Sequence, residues 1–161
     1  MINPHEIISL IPKASAWVEE QEVFILANGI PLSEKQRLIA SKIGIKNVDK
    51  IRLLQVESIP EPEDSILKET NKILGFISSD TLGITYQYGI YIRHDFWENE
   101  SLIIHELSHT LQYEKLGGIA DFLNQYIKES IYYGYEKSPL EMEARTMETK
   151  LKNLNLLKLI V

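Results

Sequence analysis

The sequence predicts an α+β fold, with mostly helices packed on a small antiparallel or mixed β-sheet. Three observations predict it. Capped segments with apolar residues at helical spacing recur along the chain. Residues 51–56 and 82–93 are instead rich in β-branched and aromatic residues and are bounded by turn formers. With 161 residues, 44% of them hydrophobic and 25% charged, the chain is long enough for one domain with a real core.

Asn3 and Pro4 start a short helix, with proline at the first helical position. Pro12 is expected to interrupt it. Residues 13–28 read as the next helix, carrying Trp17, Val18, Phe24 and Ile25, with Gly29 and Pro31 ending it. Ser33 and Gln36 fit a capping box. The helix they open is expected to bury Leu38, Ile39 and Ile43 and to stop at Gly44. Residues 51–56 read as a strand, and Pro60 and Pro62 mark a loop. Residues 64–74 read as a helix with Ile66, Leu67, Ile73 and Leu74 inward.

The stretch LGITYQYGIYIR, residues 82–93, reads as two short strands. Gly83 and Gly89 allow close backbone approach there. A helix is expected from 99 to 116, ended by Gly117 and Gly118. Residues 119–133 follow as a helix, and Ser138-Pro139 opens a last long one to about residue 152. The tail NLNLLKLIV fits helix or strand equally. Residues 1–80 thus form a lead-in and residues 81–152 carry the chemistry, all within one domain.

Composition excludes several classes. The net charge is −6 and no dense Lys/Arg run occurs, so nothing marks a nucleic-acid or anionic-membrane partner. There is no cysteine, hence no disulfide, no thiolate metal site and no Cys nucleophile. The N-terminal MINPHEIISLIPK lacks a basic start, and Ser9 and Pro12 break its apolar run. It is a poor signal peptide. No stretch approaches the roughly 18 apolar residues of a membrane span. A cytoplasmic protein is the expectation.

The decisive string is His105-Glu106-Leu107-Ser108-His109, the HExxH pattern. On a helix, residues four apart stand one turn above each other. Both imidazoles can then reach one ion. Glu106, about 100° round the helix from His105, sits beside the ion as general base toward its water. Ile103, Leu107 and Leu111 form a separate apolar stripe, with His105, His109 and Gln112 on another face. A catalytic zinc takes three protein ligands and a water. The remaining histidines, His5 and His94, both precede the motif, so the third ligand is expected to be a carboxylate. Glu141 and Glu143, at the start of the last helix, are the candidates. Ser138 and Glu141 also fit a capping box, which would leave Glu143 as ligand.

HELSH followed by a helical Glu resembles the gluzincin zinc peptidases in their minimal single-domain form. Those proteins pair a strand-lined cleft with an HExxH helix and a downstream helix carrying Glu. In several branches the third ligand is the first Glu of a Glu-x-x-Ala string, which Glu141-Met142-Glu143-Ala144 matches and which favours Glu141. The string often continues with Asp or Asn, where this chain has Arg145. The resemblance covers about residues 84–148 and does not reach the lead-in.

The resemblance implies hydrolysis of peptide bonds by a zinc-activated water, with a peptide or protein as substrate. It also implies that the strand at 89–93 pairs with extended peptide through the backbone of Tyr91 and Ile92. Tyr132, Tyr133 and Tyr135 are candidate oxyanion donors against the alternative of plain packing. Arg93 and His94 are candidates for holding a substrate carboxylate, against the alternative of a solvated turn. Three other functions fit the residues: a metal-binding protein without peptidase activity, an interaction module whose HExxH helix is structural, and a protease with one partner only.

Overall fold

The computed structural model describes residues 3–160, with side chains described through residue 153. Among the described residues are seven α-helices and a four-stranded mixed sheet, an α+β architecture.

Helix α1 (Pro4–Ser9) begins with a reciprocal cap between Asn3 and Glu6. Helix α2 (Ile11–Asn28) holds Pro12 in its first turn. That proline therefore opens α2, two residues earlier than residue 13, because its missing N–H would be unpaired there in any case. Strand β1 (Ile30–Pro31) follows, too short to announce itself in sequence. Helix α3 (Glu34–Ile43) carries the expected capping box and ends at Gly44. Strand β2 (Arg52–Val56) leads to helix α4 (Ser65–Leu74), capped by Asp64. The hairpin β3 (Gly83–Tyr86) and β4 (Gly89–Arg93) precedes α5 (Glu100–Leu116), α6 (Ile119–Tyr133) and α7 (Pro139–Ile160). The ambiguous tail continues α7 as helical backbone, and Val161 lies outside the described residues.

The sheet order is β1-β2-β4-β3. β2 and β4 are parallel, and β4 and β3 are antiparallel. β4 is thus an interior strand, and GIYIR reads as continuous apolar sequence because both its faces are covered. Ile90 and Ile92 pack with Ile103, Ile104 and Leu107 of α5. Tyr91 points the other way, into a cluster with Val18 and Ile25 of α2 and Phe122 of α6. The Tyr91 hydroxyl donates to Gln21 on α2 at 2.7 Å. Gly89 is required where α2 crosses β4: a Cβ there would lie 2.9 Å from Cβ of Ile25.

Three apolar residues face outward against expectation: Leu38, Ile66 and Ile73 are 65%, 48% and 50% exposed. In α4 the buried line is instead Leu67, Thr70 and Asn71. Asn71 is drawn in because its amide satisfies both backbone groups of Ile77, at 2.9 Å each. That rotates Ile66 and Ile73 to the surface. In α3 the stripe runs through Ile39, Ala40 and Ile43, one step round from Leu38. No helix among the described residues is long and apolar enough to cross a membrane.

Candidate metal centre

Helix α5 carries HExxH because its sequence closes both ends. The Asn99 side chain accepts from the Leu102 amide, and Gly117 ends the helix in the left-handed conformation. The stripe Ile103, Leu107 and Leu111 is buried against the sheet and α3. That anchor aims His105 and His109 at the start of α7. Ser138 Oγ accepts from the Glu141 amide at 3.4 Å, so Ser138 does act as a cap. The Glu141 carboxylate does not return to Ser138. It reaches His105 Nε2 at 3.1 Å and His109 Nε2 at 2.9 Å. Glu143 is exposed.

His105, His109 and Glu141 are therefore a group that could hold a metal ion, with one donor atom each and all donors within 4.8 Å of one another. The two Nε2 atoms stand 3.3 Å apart. An ion with bonds of about 2.0–2.1 Å at tetrahedral angles separates its ligand atoms by about 3.4 Å. Two imidazoles and a carboxylate suit a divalent ion of the zinc type. On spacing and on chemistry the donors fit.

The surroundings orient each donor. Gln112 donates to the Leu140 carbonyl at 2.9 Å, which turns its own oxygen to His109 Nδ1 at 2.8 Å. Nδ1 thus carries the proton, and Nε2 of the neutral ring is left as the donor to an ion. His105 Nδ1 faces Glu148 at 3.5 Å. Tyr126 donates to Glu141 Oε2 at 2.7 Å. Arg145 turns away to the Glu136 carbonyl, and Glu148, one turn further on, stands behind His105.

Glu106 is buried beside the group, and Thr85 Oγ1 donates to its Oε2 at 2.6 Å. Gly83 leaves it room: a Cβ there would come 3.3 Å from the Glu106 Cγ. Two cavities meet at this point. One is apolar and lies among α2, α4 and α6. The other is an open polar groove, and both are lined by Gly83, His105, Glu106 and Tyr135.

Charge in the ion-free group is arranged by the carboxylate. Burial opposes a charged His109, but the bonds and charges of Glu141, with help from Glu106 and Gln112, raise it to about 9. Burial likewise opposes a charged Glu141, but the hydrogen bonds from His105 and His109 lower it well below the usual carboxylate range. A depressed acid stabilises the fold above its ordinary 4.5 and loses that contribution as pH falls. A raised histidine stabilises below its ordinary 6.5 and loses that contribution as pH climbs through about 9. The metal-free protein is expected to resist urea best at about pH 5–6, and Glu141→Gln to flatten that maximum. An unchanged pH profile in the variant would show that the pair carries no such coupling.

Other sequence candidates fare differently. Tyr132 and Tyr133 are 81% and 51% exposed and line neither cavity, whereas Tyr135 lines both. Burial, then the charges of Glu141 and Glu106, raise the Tyr135 hydroxyl, so it stays protonated. Arg93 grips Asp95 through two bonds of 2.7 and 2.9 Å, and His94 is exposed. Arg93 ends β4 and His94 opens the turn after it, and neither lines a cavity at the site. The backbone of Tyr91 and Ile92 does not border the cleft, because β4 is paired on both sides. The edge strands are β1 and β3, and it is β3 that lines the cavities. Thr85, Tyr126 and Glu148 escaped sequence reasoning, since no local motif links a Thr, a Tyr or a distant Glu to HExxH.

No protein family, curated protein or solved structure matches the chain.

Proposed function

We propose that the chain is a zinc-dependent metallopeptidase of the gluzincin kind. The observation that carries this reading is the convergence of His105, His109 and Glu141 beside a buried Glu106 at the meeting of two cavities. Zinc, when bound by the three donors, supplies Lewis acidity that makes water a nucleophile near neutral pH and polarises a carbonyl.

The chain's own residues supply the rest. Glu106, held by Thr85, takes the proton of the attacking water and passes it to the leaving amine. Tyr135, protonated and facing both cavities, donates to the oxyanion that develops. Extended peptide lies along β3 as an added strand, near Gly83. Glu148 keeps the proton on His105 Nδ1, so Glu148→Ala is expected to weaken zinc affinity about 10–100-fold in a chelator competition. Equal affinity in the variant would remove that role.

The test is elemental analysis of the purified protein, followed by assay on an unfolded protein at fixed zinc loading. One zinc per chain with cleavage supports the reading. Zinc without cleavage of any substrate leaves a metal-binding protein, and no zinc after loading removes the metal site itself.

A further inference from the structure

Each histidine donor on α5 has its own orienting partner, Gln112 for His109 and Glu148 for His105. For Glu141 that partner is Tyr126 of α6, whose hydroxyl donates to Oε2 at 2.7 Å. A carboxylate offers only lone pairs, so the phenol is the donor. Oε1 lies 3.1 Å from His105 Nε2, and Oε2 also lies 2.9 Å from His109 Nε2. Once both nitrogens face an ion, they no longer donate to the carboxylate. Tyr126 then remains bonded to Glu141. The two oxygens are made unlike by it, with Oε2 held by a phenol and Oε1 open.

The Tyr126 hydroxyl is held in place from behind. Its ring stacks on Phe122, one helical turn earlier, with centroids 5.2 Å and planes 22° apart. Phe122 stacks in turn on Tyr113 of α5, at 3.7 Å and 16°. The Tyr113 hydroxyl donates to the Thr85 carbonyl at 3.1 Å. Phe76 packs on Tyr126 at 5.3 Å, and the His109 ring meets it edge-on at 6.1 Å. A column of three close-packed rings therefore runs from β3 to the start of α7. Thr85, at one end of it, holds Glu106, and Tyr126, at the other, holds Glu141.

A tetrahedral site with three protein donors keeps its fourth position for water. Carboxylates can bind an ion through one oxygen or through two. A second oxygen from Glu141 would crowd the fourth position. It would also add negative charge at the ion and weaken its pull on the proton of the water. We propose that Tyr126 is a positioning residue that keeps Glu141 to one oxygen at the metal centre, so that the place of the water stays open. The inference rests on the metal centre of the peptidase reading and adds what sets its coordination number.

Cobalt(II) is the probe, because zinc has a filled d shell and gives no visible spectrum. Cobalt(II) absorbs strongly in four-coordinate sites and weakly in five-coordinate ones. Tyr126→Phe removes the hydroxyl and keeps the ring in the column. Phe122→Leu keeps the hydroxyl and loosens the ring that carries it, and it serves if the first variant does not fold. Glu148→Ala is the comparison, an outer partner lost from His105 and not from Glu141. Saturated with cobalt(II), the wild type and Glu148→Ala are expected to show the strong four-coordinate absorption. Tyr126→Phe is expected to show the weak five-coordinate one, and Phe122→Leu to move the same way. With zinc in place of cobalt, Tyr126→Phe is expected to lose about 10–100-fold in kcat with little change in KM.

A four-coordinate spectrum in whichever variant folds overturns the role of Tyr126 and leaves the peptidase standing. So does a wild type that is already five-coordinate. A wild type that binds no cobalt overturns the metal centre and the inference with it. The expected spectra without cleavage of any peptide support the role of Tyr126 and overturn the peptidase reading alone.

Discussion

Glu106→Gln is expected to keep one zinc per chain and to lose hydrolysis by about 10²–10⁴-fold, the contribution of a positioned general base. The geometry sets this expectation apart from a mere loss of fold. The Glu106 carboxylate is not a donor in the His105–His109–Glu141 group, so an amide there leaves the three donors intact. Gln is the same size, so it keeps the space that Gly83 leaves beside the side chain. It also retains an oxygen to accept from Thr85, whose hydroxyl lies 2.6 Å from the carboxylate in the wild type. What it lacks is a lone pair basic enough to take a proton. A companion Thr85→Val variant is expected to fall in kcat with less change in KM, since it frees the carboxylate without removing it. Full activity in Glu106→Gln would leave the chain with no base in this position and would sink the mechanism.

His109→Ala is expected to abolish stoichiometric zinc. Its loss in affinity should exceed the about 10–100-fold that removing an outer partner of a metal ligand costs. His109 is the most enclosed of the histidine donors. It lies between Glu141 at 2.9 Å and Gln112 at 2.8 Å, with the Phe122 and Tyr126 rings against it. The substitution also takes from the buried Glu141 one of its three side-chain partners, the others being His105 and Tyr126. A lower melting temperature is therefore expected even without metal, because a buried carboxylate with fewer donors is costly. Gln112→Ala gives a control that leaves all three donors in place: weaker zinc binding, still saturable. Wild-type zinc content in His109→Ala would mean that the metal, if any, sits elsewhere.

Much was legible in one dimension because it is governed by local rules. The capping box at Ser33 is a contact between residues three apart. The left-handed stops at Gly44 and Gly117 follow from the absence of a side chain. The pairing of His105 with His109 is a property of helical pitch, so any helix through HELSH produces it. The choice between Glu141 and Glu143 was not local. Both fit the start of a helix; the Ser138 cap argued against Glu141, and only the resemblance to a Glu-x-x-Ala string argued for it. Packing of α7 on α5 buries Glu141 against both histidines and leaves Glu143 exposed, which is why the proposal takes Glu141.

The sequence by itself determined the α+β class, the motif helix, its anchoring stripe and the residue types able to hold an ion. Those depend on periodicity and on neighbours within a turn. Tertiary structure alone decided which strand is the sheet edge, because edge or interior status is set by what pairs with a strand and not by its own residues. It also turned Ile66 and Ile73 outward, since the buried need of the Ile77 backbone for a partner outweighed the apolar pattern of α4. It brought Thr85, Tyr126 and Glu148 to the site from three separate elements, and it made the lead-in into a wall of the apolar cavity. Such contacts join residues far apart in the chain, and no spacing rule reaches that far.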